Sequence, residues 1–414
     1  MSTATPEGEK KFPGWLMLLG ALIAVAPLSI DMYLPAFPAM ALALEADRGA
    51  IERTLPVFLL GLSIGQLLYG PLSDRLGRRG PLLVGLLIYG VGSAGCALAK
   101  NADALTLWRL VQALGGGAGL VIARAVIRDR LDVRQSARAI STVMLIMGVA
   151  PILAPMLGSA MLLVTGWQAI FVVQMIFGLV CMLWALFTMP ETRPNHLVTS
   201  LRPSKVIQTY WQVVMDARFI FPALCAGFAM GGMFAYIAGS PFVLITLYGL
   251  GEQAYALVFG ANAFGLIAAS QFNGYLLRRY QPEQLLKVTV AMPLVFALIL
   301  FCVSLFDHAA LPFLLVGLFG YASCLGAISP NTSALSMATQ GGRAGAASAL
   351  LGSLTYTAGM VAGLAVSLLE GHSALPLASV MLVCGALSLL CGLATLRYSV
   401  KTELPPVVPI EPLP

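Results

Sequence analysis

The stretch Gly70-Pro-Leu-Ser-Asp-Arg-Leu-Gly-Arg-Arg79 is a short basic segment between two long apolar runs. The runs cover about residues 51–72 and 81–99, and each has the roughly 20 residues that a helix needs to cross the hydrocarbon core of a membrane. Long, continuously apolar runs favour helices over barrel strands, whose residues alternate in polarity. The stretch therefore predicts a tight loop that joins two membrane-spanning helices.

The rest of the chain repeats this pattern. Of its 414 residues, 59% are hydrophobic and 10% are charged, whereas a soluble domain has about 25% charged residues. A soluble fold could not hide so much apolar surface, so lipid must cover much of it. We predict an all-α integral membrane protein with twelve spans, at about 15–38, 51–72, 81–99, 103–124, 138–163, 167–189, 218–245, 253–277, 286–306, 311–333, 343–368 and 374–397.

The basic residues predict the orientation of the spans. With twelve spans, nineteen of the 24 Lys and Arg residues fall on the side of the N-terminus, and only Arg48, Arg53 and Lys100 fall on the other side. Segments rich in Lys and Arg stay in the cytoplasm. Both termini are therefore predicted to be cytoplasmic.

The longest polar interruption contains three prolines and divides six spans from six. The two halves also match weakly at an offset of 204 residues, where Gly70 and Arg75 correspond to Gly274 and Arg279. Repeated halves are typical of transporters. We predict a cytoplasmic N-terminal tail, two six-helix bundles joined by a cytoplasmic linker, and a proline-rich cytoplasmic tail, at 1–14, 15–190, 191–217, 218–398 and 399–414.

The opening stretch resembles the loop motif of the major facilitator superfamily. Gly70 allows close helix approach and Gly77 allows a tight turn, and Asp74 can accept hydrogen bonds from an arginine or a helix N-terminus. The resemblance implies a latch that holds the two bundles together on the cytoplasmic side, and the alternative is an ordinary basic loop. The implied conformational switch consists of Gly70, Asp74, Arg75, Gly77, Arg78, Arg124 and Asp129.

Arg124 and Asp129 are the ends of the segment Arg124-Ala-Val-Ile-Arg-Asp129, which closes the fourth span. By the same resemblance, Asp129 pairs with a motif arginine such as Arg75 or Arg78. The alternative is a solvated run of charges, since exposed ion pairs contribute little.

Asp31 lies well inside the first predicted span, in Pro27-Leu-Ser-Ile-Asp-Met-Tyr-Leu-Pro-Ala-Phe-Pro38. An ionised aspartate there costs about 2.5–3.5 kcal/mol, and removal from water favours the protonated acid. A cationic substrate nearby would displace that proton, which couples substrate to proton by competition for one acid. The segment resembles the first helix of the Bcr/CflA drug-resistance subfamily. The alternatives are a structural aspartate bonded to neighbouring helices and a solvated aspartate near the outer face.

Arg109 and Gln112 share one face of the fourth span, followed by four glycines that allow close packing. The segment resembles the span-four motif of the superfamily, which implies a role for Arg109 in proton transfer with Asp31. The alternative is an arginine that extends to the membrane surface.

The segment Gly148-Val-Ala-Pro-Ile-Leu-Ala-Pro-Met-Leu-Gly158 in the fifth span resembles the antiporter motif of drug–proton exporters. The motif residues are Gly148, Pro151, Pro155 and Gly158, and Ala154 stands where the family usually has glycine. Alanine is small enough to keep the helix packing. The alternative is an ordinary proline kink.

The substrate pocket is predicted from residues on several spans. At the 204-residue offset, Ala235 of the seventh span corresponds to Asp31, so the acid occurs in one half only. Its neighbours Phe234 and Tyr236 are candidate aromatic walls, because aromatic rings hold lipophilic cations. The full set of candidate contacts is Ile30, Asp31, Tyr33, Gln112, Met147, Phe234 and Tyr236.

Other functional classes find little support in the sequence. It contains no Walker loop, no catalytic triad signature, no CxxC pair and no His/Cys/carboxylate cluster typical of a metal site. A channel or membrane receptor is an alternative from a second functional class, although no repeated pore segment or ring of charge is visible. The closest alternative is a proton-coupled sugar or metabolite carrier of the same fold.

The sequence therefore predicts a proton-coupled multidrug efflux transporter that works by alternating access. We expect no enzymatic activity and no cofactor, with H⁺ as the coupling ion. The expected partners are small-molecule drugs and the lipid bilayer, with no nucleic acid. We expect a functional monomer that crosses the bacterial cytoplasmic (inner) membrane many times.

Overall fold

The structure is a computed structural model that describes residues 14–130, 133–192, 203–306, 311–369 and 373–399. Within this part of the chain almost every residue is helical and no strand occurs. Eleven helical segments of the described residues are long and apolar enough to cross a membrane, and Val149–Val164 is a shorter apolar stretch of a twelfth long helix. The prediction of an all-α membrane protein is confirmed.

The first half contains α1 to α8, with a short linker helix α9 after it. The helices are α1 (Gly14–Asp31), α2 (Phe37–Ala43), α3 (Arg48–Glu52), α4 (Thr54–Leu76), α5 (Arg79–Ala97), α6 (Ala102–Arg130), α7 (Val133–Val164), α8 (Gln168–Thr188) and α9 (Pro203–Val214).

The second half contains α10 to α16. The helices are α10 (Ala217–Ser240), which continues as a π-helix over Pro241–Leu247, α11 (Glu252–Leu276), α12 (Pro282–Thr289), α13 (Met292–Ser304), α14 (Leu311–Met337), α15 (Ala344–Leu368) and α16 (Leu375–Ser399).

The first span is interrupted, contrary to the prediction of one continuous run. α1 ends at Asp31, a turn and a 3-10 helix over Leu34–Ala36 follow, and α2 begins at Phe37. Pro35 and Pro38 explain the break, because a proline has no N–H to donate and restricts the residue before it. Asp31 therefore lies at the end of a helix, just before the break in the span.

The halves meet along two pairs of helices, α4 with α15 and α7 with α11. The hydroxyl group of Ser63 on α4 lies 2.7 Å from that of Ser353 and 2.8 Å from that of Thr357, both on α15. Gly70, near the end of α4, approaches Ala349 of α15. The polar contacts of α4 and α15 thus connect the two halves in the interior of the molecule.

Candidate functional site

The loop of the opening stretch is a turn around one buried arginine. α4 ends at Leu76, Gly77 adopts a positive φ of 92° that glycine tolerates best, and α5 begins at Arg79. Arg78, between them, is only 1% exposed. We call the end of the molecule that carries this turn the basic end.

Arg78 binds two aspartates. Its Nη1 donates to Asp74 Oδ1 at 2.5 Å and its Nε donates to Asp129 Oδ2 at 2.9 Å. Burial alone would lower the pKa of Arg78, but the hydrogen bonds to Asp129 and Asp74 raise it above its usual value. The backbone N–H groups of Arg78 and Arg79 donate to the carboxylate of Glu191, at 2.8 and 3.3 Å. The arginine thus fastens the turn to the ends of α4 and α6.

These ion pairs all lie within the first half and the segment directly after it. The pair of Arg78 with Asp129 agrees with one of the two expected pairings. The role of the motif as a latch between the bundles stays a prediction. Arg75 and Arg124 are exposed, and Arg124 lines a cavity of ≈ 430 Å³ between α4, α6, α9 and α15.

Asp31 is 4% exposed at the end of α1. Its carboxyl group lies within electrostatic range of three tyrosines of the second half, Tyr236, Tyr255 and Tyr356. Among the described residues, no side chain donates a hydrogen bond to it and no cation pairs with it. Asp31 is therefore a desolvated acid near the seam between the halves.

Among the described contacts, Arg109 forms no ion pair with Asp31. Its Nη1 donates to Gln112 Oε1 at 2.8 Å and its Nη2 to the backbone carbonyl of Ser29 at 3.0 Å, while its guanidinium lies over the rings of Tyr33 and Phe58. It is fully buried, so it does not extend to the membrane surface. The structure places the arginine inside the first half, and its role in proton transfer with Asp31 stays a prediction.

The neighbours of Arg109 form a polar network within the first half. Gln112 Nε2 donates to Ser93 Oγ and to Gln174 Oε1, both at 2.8 Å. Tyr33 directs its hydroxyl to Thr54 at 3.2 Å. Gln112 and Tyr33 are two of the candidate substrate contacts, and their polar groups are hydrogen-bonded to neighbouring side chains of the first half. Their contact with substrate stays a prediction.

The seventh span supplies the surface opposite Asp31. The Tyr236 hydroxyl accepts a hydrogen bond from Asn262 Nδ2 at 2.8 Å, and its ring stacks on Phe259. Phe234 lies 5.8 Å from Tyr356 between ring centroids. Asn262 and Tyr356 were not predicted from the sequence, although an asparagine in an apolar run is a signal that could have indicated the first of them.

A family model and two relatives each match most of the chain. A family model described as Major Facilitator Superfamily matches residues 19–364. The chain belongs to the major facilitator superfamily. An uncharacterized MFS-type transporter of Bacillus subtilis, YdgK, is 36% identical over 91% of this chain and 94% of its own length. A bicyclomycin resistance protein homolog of Haemophilus influenzae is 27% identical, again over 91% and 94% of the two chains.

A solved structure confirms the predicted fold class. The crystal structure of a D-xylose-proton symporter superposes with a TM-score of 0.69 at 15% sequence identity, over 92% of this chain and 96% of that one. The fold is therefore that of the superfamily, in a multi-pass membrane protein. Because the family consists of transporters, the chain is a transporter and not an enzyme.

In this superfamily member, the antiporter-like motif touches the break that follows Asp31. A Cβ added at Gly158 of α7 would collide with the backbone carbonyl oxygen of Met32. Pro155 and Ala154 are buried on the same helix, and Pro151 is half-buried. Only glycine therefore allows α7 to approach the residue after Asp31 so closely. Gly148 and Met147 belong to the part of α7 whose side chains lie outside the described residues.

Proposed function

We propose that this transporter exports small lipophilic or amphipathic antimicrobials in exchange for H⁺, by alternating access. The observation that carries the proposal is the position of Asp31. Among the described carboxylates, it lies farthest from the ends of a candidate span. It is buried at a helix break, within electrostatic range of tyrosines of the other half.

A desolvated acid without a described partner is suited to carry a proton. The ionised form is costly away from water, so Asp31 holds a proton until a cation or a polar drug atom takes its place. Tyr236, Tyr255 and Tyr356 offer neutral hydroxyl groups and ring faces around the same position. Such a surface binds aromatic or cationic molecules without a second fixed charge.

The exchange cycle follows from competition for Asp31. A proton entering from the outside protonates Asp31, and the drug leaves outward. The protonated carrier turns inward, where the proton leaves and a new drug molecule binds. The rocking of the halves would occur along the α4–α15 and α7–α11 contacts.

Export is favoured over uptake by two further observations. The motif around Pro155 and Gly158 touches the break after Asp31, and the Haemophilus influenzae relative is named as a bicyclomycin resistance protein homolog. We place the protein in the bacterial cytoplasmic (inner) membrane with both termini in the cytoplasm, in agreement with the bias of its Lys and Arg residues.

The test begins with a susceptibility panel, bicyclomycin included, in an exporter-deficient bacterium that expresses the chain. The most strongly resisted compound is then used in proteoliposomes with an imposed pH gradient. We expect Asp31→Asn to lose gradient-driven accumulation. Asp103→Asn is the matched control, because Asp103 is exposed at the first turn of α6, and it should transport like the parent.

Two results would contradict the proposal. One is resistance to no compound of the panel by a chain that is present in the membrane. The other is gradient-driven exchange by Asp31→Asn at the rate of the parent. Drug- or sugar-dependent uptake together with H⁺ would instead assign the chain to the symporters of the same fold.

A further inference from the structure

The linker helix α9 has two faces with different surroundings. One face is packed: Val213 is fully buried, and the Tyr210 hydroxyl donates to the backbone carbonyl of Leu67 on α4 at 3.0 Å. Burial, with the nearby Asp74 carboxylate, raises the pKa of Tyr210 to about 12, so this donor stays neutral. The packed face holds α9 against the molecule.

The other face carries an exposed apolar stripe. Ile207, Trp211 and Met215 are 65%, 62% and 59% exposed. They follow one another at intervals of four residues, so they lie on one side of the helix and the turn that ends it. Three large apolar side chains on one exposed face of a short helix require a partner that covers them.

The position of α9 indicates which partner this is. Its packed face touches the ends of three spans: Phe219 in the first turn of α10, Ala347 in the first turn of α15, and Met337 at the end of α14. The same face also bonds to Leu67, farther along α4. A helix fixed at the ends of membrane spans lies at the level of the lipid headgroups. Leu68, next to Leu67, is also 58% exposed on α4.

The charges around α9 fit an anionic surface. Lys205 and Arg218 are exposed near its two ends. The acid in this segment, Asp216, is hydrogen-bonded to the protein. Gln340 Nε2 donates to its Oδ2 at 2.8 Å and the Arg218 backbone N–H donates to its Oδ1 at 3.0 Å. Exposed cations beside a tryptophan-bearing apolar face are typical of interfacial helices that bind anionic lipid.

We infer that α9 is an interfacial anchor, which inserts Ile207, Trp211 and Met215 into the headgroup region of an anionic membrane leaflet. Because α9 touches α4 of the first half and α10 and α15 of the second, it holds the seam between the halves to the bilayer. The inference concerns the linker alone and does not depend on what the transporter carries.

The test uses the whole protein in vesicles of phosphatidylcholine with and without phosphatidylglycerol. The lipids carry bromine, which quenches tryptophan fluorescence, either close to the headgroup or at the chain ends. The difference in fluorescence between the parent and Trp211→Phe isolates the emission of Trp211. Interfacial helices bury their apolar face by roughly 5–10 Å, so headgroup-near bromine should quench Trp211 about twofold more strongly than chain-end bromine. Phosphatidylglycerol should increase that quenching.

Matched variants separate the two parts of the inference. Lys205→Gln combined with Arg218→Gln should remove the effect of phosphatidylglycerol, whereas Arg278→Gln combined with Arg279→Gln, at the exposed end of α11, should keep it. Quenching of Trp211 by aqueous iodide but not by bromine would overturn the inference, since the helix would then lie in water. Shielding from both quenchers would also overturn it, because a protein partner or second copy would then cover the stripe.

Discussion

The two halves share a fold but differ in where they bury charge. In the first half Asp31, Arg78 and Arg109 are all buried. At the 204-residue offset their counterparts are Ala235, Pro282 and Phe313, and the last of these is 62% exposed. The second half offers tyrosines and Asn262 at the seam instead.

Under the proposed exchange of drug for H⁺, this difference predicts separate roles for the two halves. Buried charges change their energy strongly when a proton, ion or partner moves, so the first half is suited to sense the proton. Neutral hydroxyl and amide groups bind varied molecules at lower desolvation cost, so the second half is suited to accommodate drugs of different structure. Substitutions at corresponding positions should therefore have unequal effects.

The largest effect on stability is expected at the turn of the basic end. Arg78→Gln removes the ion pair between Arg78 and Asp129, whose side chain is only 6% exposed, and loss of one partner of a buried pair costs about 3–5 kcal/mol. Arg278→Gln, the counterpart of Asp74 in the second half and exposed, should change stability by about 0.5 kcal/mol or less. Thermal unfolding in detergent measures both. Equal melting temperatures for the two variants would contradict the asymmetry.

A smaller effect is expected where α7 crosses the break after Asp31. Gly158→Ala places a methyl group against the Met32 carbonyl, and such overpacking costs about 1–3 kcal/mol. The counterpart in the second half, Ala362, is already a buried alanine. Ala362→Gly removes a methyl group where Gly158→Ala adds one, so it should produce no such clash. Melting temperature and drug resistance check the pair. Full resistance and unchanged melting for Gly158→Ala would show that the close approach is dispensable.

Much of this organisation could be predicted from the sequence. The apolar runs gave the number and approximate limits of the spans, and the spacing of Gly70, Asp74, Gly77 and Arg78 predicted the turn. Local patterns suffice for these features, because each depends on neighbouring residues.

The relation between Asp31 and Arg109 could not be predicted, because it depends on which side of α1 faces which half. The Ser29 hydroxyl lies 2.7 Å from that of Tyr89 inside the first half, beside the Ser29 carbonyl that accepts from Arg109. Ser29 stands two residues before Asp31. At 3.6 residues per turn, positions two apart point to nearly opposite sides of a helix. The pairing of Tyr236 with Asn262 was missed for a similar reason, since the residues lie on different helices.

The central claim is that Asp31 carries the exchanged proton, and proton release on drug binding tests it most directly. Purified protein in weakly buffered detergent solution receives a compound from the susceptibility panel, and a pH indicator follows the solution. The parent and Asp103→Asn should release protons on binding, while Asp31→Asn should bind the compound and release none. Equal proton release from Asp31→Asn and the parent would contradict the account.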